Sequence, residues 1–465
     1  MRKLILFAFL TIIFSNVAAQ FASQNISLLS IFNDTTVTPE PQFGIRYQSC
    51  WGWSDPLTGR EYGVIGSTSG TFIIEVTNPL APVKRDYVST RRTNLIWHEY
   101  KTYGNYLYII SDGPATNQLQ ICDMTYLPDS VHVVYDSNVL FNRAHTIAID
   151  GNKMYLANVS SGISYHSMQV YSLNNPELPV LLRSLDDDYP NINQVHDMTV
   201  SNDTVYASCG NQGLYIYKYD SIANTFTEIG TLTTYPEQGY NHSTALSGDH
   251  STLYMCDETT GKAVKVVNLS DITNPSADTI FRSHVGAIAH NPYVKDNYLY
   301  IAYYLDGVYV YNISNPLIPV LAGFFDTHPQ NGNSFPANTY EGCWAVYTDL
   351  PSGTLLASDM QYGLFCLDAG RVTGLPHISI NNQETMVAFP NPARDEIKII
   401  LKNVSNESIS IEITDELGRV VKQSIYFVSS NGVVTIQLDN FLPGIYFVKA
   451  STSEKVFVSK VNVVK

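Results

Sequence analysis

His290-Asn-Pro-Tyr-Val-Lys-Asp-Asn-Tyr-Leu-Tyr-Ile301, continued by Gly307-Val-Tyr-Val-Tyr311, Asn315-Pro316 and Pro319-Val320, is the stretch that decides the fold. β-Branched and aromatic residues alternate here with smaller or polar ones between Asp-Asn, Gly and Asn-Pro turns, which is the pattern of short strands rather than helices. Proline fixes φ and cannot donate to a ladder, so the third strand must end at Asn315-Pro316 and a fourth start at Pro319-Val320. The unit therefore reads as four strands headed by a histidine.

The unit recurs. His98, His145, His196, His242 and His290 follow one another at intervals of 47, 51, 46 and 48 residues. A tyrosine stands ten residues after four of them (Tyr108, Tyr155, Tyr206, Tyr300) and twelve after the fifth (Tyr254). The Asn-Pro turn returns as Asn78-Pro79, Asn175-Pro176 and Asn274-Pro275. A four-stranded repeat of this length is a β-propeller blade. One further unit on each side, around residues 62–87 and 344–368, brings the count to seven, with Trp51 or Trp53 and Trp344 at the histidine position. The last unit lacks a fourth strand, and residues 25–32 (Asn-Ile-Ser-Leu-Leu-Ser-Ile-Phe) are patterned to supply it and close the ring.

Residues 1–19 have the form of a signal peptide: Arg2 and Lys3, an apolar run over 4–14, and the small-residue site Val17-Ala18-Ala19. No other run approaches the ~20 apolar residues of a membrane helix. A formal charge of −15 over 465 residues argues against nucleic acid as a partner. The blades fill residues 20–373, a polar linker follows over 374–384, and residues 385–465 read as an independent run of short strands. The expected fold is all-β, a seven-bladed propeller followed by a small C-terminal β-sandwich. Six cysteines in an exported chain permit disulfides. Cys50 and Cys343 precede a tryptophan at equivalent places in the first and last blades; they would either bridge and lock the ring or remain small buried thiols.

The tail resembles the C-terminal sorting domain of type IX secretion cargo of Bacteroidetes through Phe389-Pro-Asn-Pro-Ala393, Asp415-Glu-Leu-Gly418 with Arg419-Val420, Leu442-Pro-Gly-Ile-Tyr446, and the closing strand from Lys455. That resemblance implies the type IX machinery as a partner and delivery through the periplasm to the cell surface or medium. The propeller resembles the choice-of-anchor B family, with repeats of the Leu-Val-Ile-Val-Asp type. It does so through residues 51–62 (Trp-Gly-Trp-Ser-Asp-Pro-Leu-Thr-Gly-Arg-Glu-Tyr), Ser111-Asp112-Gly113 and the histidine-headed strands. That family is named for its anchoring, and the resemblance implies no reaction.

The first strands of a propeller line its channel, so the histidines are expected at one channel end, near loops that carry Asp112, Asp257, Glu258, Asp306 and Asp359. Imidazole and carboxylate from several blades is metal chemistry, zinc favouring the nitrogens and calcium the oxygens. The best ligands on this view are His145, His196 and His242, with His98, His290, Asp112 and Asp306 as further candidates. The alternative is that each histidine is a structural tie between blades. His98-Glu99 and His196-Asp197 are neighbours on a strand and are expected to face opposite ways. No serine elbow, His-Glu-x-x-His, phosphate loop or Cys-x-x-Cys is present. Two functions follow: a binding module for a protein or glycan, with loop tyrosines such as Tyr165, Tyr189 and Tyr235 as contacts, or a metal-dependent hydrolase or lyase at the channel mouth.

Overall fold

The computed structural model describes residues 21–113, 117–373, 386–401, 407–415, 419–428, 433–452 and 456–464. The signal-peptide and linker segments, Glu416, Leu417, Gly418 and Lys455 lie outside these. The described residues form two compact units, one ending at residue 373 and one starting at 386.

The first unit consists of seven antiparallel four-stranded sheets, one of them extended by a fifth short strand. Blade three is representative: Thr146–Asp150, Lys153–Ser161, Ser164–Ser172 and Val180–Ser184 pair in sequence order. The Asn-Pro turns work as read from the sequence. The Asn175 side chain accepts the Glu177 amide at 3.2 Å, the Asn175 carbonyl accepts Leu178 N–H at 3.1 Å, and the proline holds φ between them. First strands contact those of adjacent blades all the way round, from Tyr47–Ser54 to Cys343–Tyr347 and back.

The N-terminal segment does two jobs where one strand is expected. Ser27–Phe32 pairs with Gly363–Asp368 of blade seven, Phe32 opposite Leu364, while Ser23–Gln24 adds to the outer edge of blade six, Ser23 opposite Phe325. Between them Asn25 takes the left-handed conformation (φ 59°), which asparagine tolerates, and donates its side-chain amide to the Ala322 carbonyl at 2.8 Å. Ile26 is buried in a core shared by blades six and seven. The segment thus straps two blades together as well as closing the ring.

Core residues lie between blades. Tyr108 and Ile110 of blade two pack with Ile147, Met154 and Tyr171 of blade three. The repeat tyrosines are buried, and two of them bond to the other periodic feature of the sequence. Tyr108 donates to the Pro176 carbonyl at 2.6 Å and Tyr254 to the Pro316 carbonyl at 2.9 Å, each on the next blade's Asn-Pro turn. All six cysteines are buried and unpaired. Cys50 and Cys343 do not bridge; both sulfurs point at the Ala345 carbonyl, at 3.6 and 3.9 Å.

The second unit is a sandwich. One sheet holds Met386–Phe389, Glu396–Leu401 and Val433–Gln437, the other Val420–Val428, Glu407–Asp415, Gly444–Ser451 and Val456–Val463. Ile397, Ile399 and Leu401 meet Ile409, Ile411 and Ile413 in its core, the period-2 faces of two strands. Among the described residues no helix is long and apolar enough to cross a membrane.

Candidate functional site

The placement of each channel histidine is decided by a backbone irregularity. In blade three the His145 amide donates to the Ala157 carbonyl (2.9 Å) while Thr146 also pairs with Ala157. Blade four repeats this with His196 and Asp197 opposite Ser208, and blade six with His290 and Asn291 opposite Ala302. In blade five the register slips between Asn241 and Ser243 around His242, and in blade seven between Cys343 and Ala345 around Trp344. Two residues opposing one is a β-bulge, and it re-aims the side chain at that point.

Blade two has no such slip: Trp97, His98 and Glu99 pair one to one with Asp112, Ser111 and Ile110. A one-residue difference in register exchanges the faces. Trp97, Glu99 and Lys101 therefore line the channel. His98 turns into the seam with blade one, fully buried, its Nδ1 2.6 Å from Gln48 Oε1. His98 is thus not a channel group, contrary to the sequence expectation.

The remaining four imidazoles form an arc. Ring centroids are 4.3 Å apart for His145 and His196, 4.2 Å for His196 and His242, and 4.4 Å for His242 and His290. They border a cavity of about 940 Å³ running along the first strands. Its wall includes Trp51, Trp97 and Trp344, three of the four tryptophans of the chain, and Tyr293, Tyr304 and Tyr340. Carboxylates of Glu99, Asp197, Glu258, Asp296 and Glu341 also line it, against one ammonium, Lys101. His196 and Asp197 both reach the cavity, so adjacency did not separate them; the bulge sets aside strict alternation.

Two of the Nδ1 atoms make ties from blade to blade: His196 Nδ1 lies 3.3 Å from the His242 carbonyl and His290 Nδ1 2.6 Å from the Trp344 carbonyl, while His242 Nδ1 is buried with no hydrogen-bond partner among the described residues. A carbonyl only accepts, so the tied nitrogen carries the hydrogen and Nε2 keeps a lone pair. Burial, reinforced by neighbouring histidines, holds His196 and His242 well below the ordinary imidazole range, and burial pulls His290 down to about 3. His145 differs. Burial lowers it, but its hydrogen bond to Asp112 (2.9 Å) together with the charges of Asp112, Glu99 and Asp197 raises it overall, and the tie to Asp112 occupies its Nδ1.

Of the five loop carboxylates, Glu258 alone enters the cavity. It lies 3.7 Å from His242 Nε2 and 3.9 Å from His290 Nε2, and accepts the Tyr304 hydroxyl at 2.6 Å. Ligand atoms of His196, His242 and Glu258 fall within 4.8 Å of one another. Of the expected trio of His145, His196 and His242, the last two thus lie together with Glu258, while His145 is tied to Asp112. Asp112 is held by His145 and by Arg143 at 3.3 Å. Asp306 binds His284 (2.9 Å) and Tyr309, away from the arc, Asp257 is buried against Lys265 at 2.7 Å, and Asp359 accepts from Thr327. Of the loop tyrosines, Tyr235 is buried on Asp257, Tyr189 packs on Tyr217, and Tyr165 is exposed.

Sequence reasoning missed Glu99 and Lys101. Their signal was the odd-numbered run Trp97, Glu99, Lys101 on one face of a regular strand. Burial is the main force on both: it raises Glu99 and lowers Lys101, while each opposes the shift of the other. The Lys101 ammonium sits 3.9 Å from the centre of the Trp51 ring.

Comparison with known proteins bears on the two units differently. Residues 387–465 match the secretion system C-terminal sorting domain. This tail is a type IX sorting domain. The protein is accordingly exported cargo, delivered to the cell surface or the extracellular space by the type IX machinery. No curated protein matches the chain. Among solved structures, a putative 6-phosphogluconolactonase from Bacteroides fragilis is 11% identical with a TM-score of 0.48, over 87% of this chain and 100% of that one. A periplasmic gluconolactonase of Pseudomonas aeruginosa is 11% identical with a TM-score of 0.48, over 80% and 96%. A putative 6-phosphogluconolactonase from Bacteroides uniformis is 13% identical at 0.48, over 84% and 100%. Likeness of that depth brings none of their chemistry with it.

Proposed function

We propose that the protein is exported to bind a small hydroxyl-rich ligand, a sugar or short glycan, inside the propeller channel. The observation that carries this reading is the wall of the cavity: seven tryptophan, tyrosine and phenylalanine side chains and five carboxylates around about 940 Å³. Aromatic faces stack on the apolar faces of a sugar ring, and carboxylates accept its hydroxyl hydrogens. The volume falls at the upper end of the roughly 300–1,000 Å³ usual for small-molecule sites, which favours such a ligand over a folded protein partner. We read the propeller as one of the choice-of-anchor B kind, on the motifs over residues 51–62 and the histidine-headed strands. Residues 1–19 then act as the signal peptide, 374–384 as a linker and 385–465 as the sorting tail. Removing 385–465 should leave a folded propeller in the periplasm.

Tryptophan fluorescence tests the channel reading, because three of the four tryptophans line the cavity. A glycan that binds should change the emission saturably, and Trp97→Ala and Tyr340→Ala should each weaken it at least about tenfold. A glycan bound equally well by both variants would place recognition elsewhere on the protein.

A second reading, a metal-dependent hydrolase or lyase, is favoured by one observation: Nε2 atoms of buried neutral imidazoles stand beside Glu258 on an open cavity. Turnover of a bound glycan that stops in Glu258→Gln while binding persists would select it. Binding without turnover would leave the first reading.

A further inference from the structure

We propose that His196, His242 and Glu258 form a binding site for one divalent transition-metal ion of the zinc type. This deepens the channel reading by naming a group that would anchor a ligand oxygen there. The three ligand atoms already lie within 4.8 Å of one another, from two neighbouring blades. In a tetrahedral zinc site, with bonds of about 2.0–2.2 Å, ligand atoms sit roughly 3.3–3.6 Å apart, so small side-chain rotations close the set.

Three independent features prepare these atoms. The Nδ1 tie of His196 to the next blade's carbonyl fixes its ring direction and leaves Nε2 as the donor, and His242 already turns its Nε2 to Glu258 at 3.7 Å. Tyr304 holds the Glu258 carboxylate at 2.6 Å, the outer-shell contact that orients a ligating carboxylate. The cavity wall carries five carboxylates and one ammonium, an excess of acidic groups that favours a cation over an anion there. Two imidazoles with one carboxylate select zinc, cobalt or nickel over calcium and magnesium, which take oxygen ligands. Two histidines and a glutamate leave a fourth position for water or a ligand oxygen. For His196 the structural-tie and metal readings are thus compatible, since the tie uses Nδ1 and leaves Nε2 for the ion.

The test uses the full chain, stripped with a chelator and dialysed, with no glycan present. Elemental analysis after zinc loading should give about one ion per chain. Cobalt loading should give the intense visible bands of a four- or five-coordinate site. Glu258→Gln and His242→Ala should each lower zinc affinity more than about a hundredfold with an unchanged thermal transition of the metal-free protein, and Tyr304→Phe about ten- to a hundredfold. His284→Ala, outside the channel, should bind as the parent does. Zinc bound by Glu258→Gln with parental affinity, a cobalt spectrum of octahedral type, or calcium taken up in place of zinc would each overturn the proposal. If His242→Ala unfolds, Glu258→Gln, which is isosteric, decides alone. Zinc uptake and glycan binding are read separately, so failure of either is recognised without the other.

Discussion

Blade two and blade five carry the same signature, a histidine at the head of the first strand and a tyrosine some ten to twelve residues later, yet they deliver the histidine to opposite places. In blade five the extra residue opposite Asp257 and Cys256 sends His242 into the channel; in blade two the ladder runs without a slip and His98 goes into the seam. Periodicity in the sequence thus specifies that a residue belongs to the repeat. Whether it faces the channel depends on one hydrogen-bond register, which costs little backbone change and exchanges every face beyond it. The function of a repeat residue is decided by the local ladder.

The comparison presupposes a closed ring, and the strongest way to break it is to open that ring. Deleting residues 20–33 removes the outer strand of blade seven, the added strand on blade six and the buried Ile26. The expected result in calorimetry is loss of the single cooperative transition of the propeller, because two sheet edges and a shared core are exposed together. A truncated chain that melts like the parent would mean that the blades hold their positions without the strap.

A smaller effect separates the two kinds of histidine by acid. Burial holds His98 down to about 3, and it faces Gln48 and the neutral Tyr100 with no carboxylate bonded to it. In the unfolded chain it titrates near 6.5. The folded state therefore binds fewer protons than the unfolded state between those values. Its contribution is fully present above pH 6.5 and is lost as pH falls, by about 1.4 kcal/mol per pH unit. Between pH 6.5 and 5.0 that amounts to about 2 kcal/mol. His98→Gln, which can still bond to Gln48, should flatten the denaturation midpoint against pH by that amount relative to the parent. An unchanged slope would show that His98 is not held neutral in the seam.

The blade count, the ring closure and the sandwich were legible because each rests on residue type at a fixed period: Asn175-Pro176 must turn, and Leu28, Ser30 and Phe32 fit only an outer strand. The sorting tail was legible from Phe389-Pro-Asn-Pro and Leu442-Pro-Gly. The channel site was half legible. His145, His196, His242 and His290 could be named as channel residues, while Glu258, which lines the cavity with them, could not be chosen from Asp112, Asp257, Asp306 and Asp359. Asp257 and Glu258 are adjacent, and it is the end of the strand that gives one to Lys265 and the other to the cavity. Glu99 and Asp197 escape a reading by strict alternation, because a bulge, or its absence, decides the face.

The smallest effect tests the converse, that a periodic residue on a strand without a bulge at its position keeps its place in every blade. Tyr108 and Tyr254 stand on second strands, so the difference between the first strands of blades two and five does not reach them. Both rings are fully buried, and both hydroxyls donate to the carbonyl of the proline in the next blade's Asn-Pro turn, Pro176 at 2.6 Å and Pro316 at 2.9 Å. Phenylalanine keeps the ring and removes one hydrogen bond, which contributes about 1 kcal/mol net. Tyr108→Phe and Tyr254→Phe should therefore lower stability by about 1 kcal/mol each in urea denaturation, with unchanged m-values, and the double variant by the sum, since the two sites share no partner. Substitutions of His98 and His242 should differ from one another in the same assay, because one residue fills a seam and the other borders a cavity. If instead the two tyrosine variants differ by more than about 1 kcal/mol while the two histidine variants agree, register at the first strand is not what distinguishes the blades.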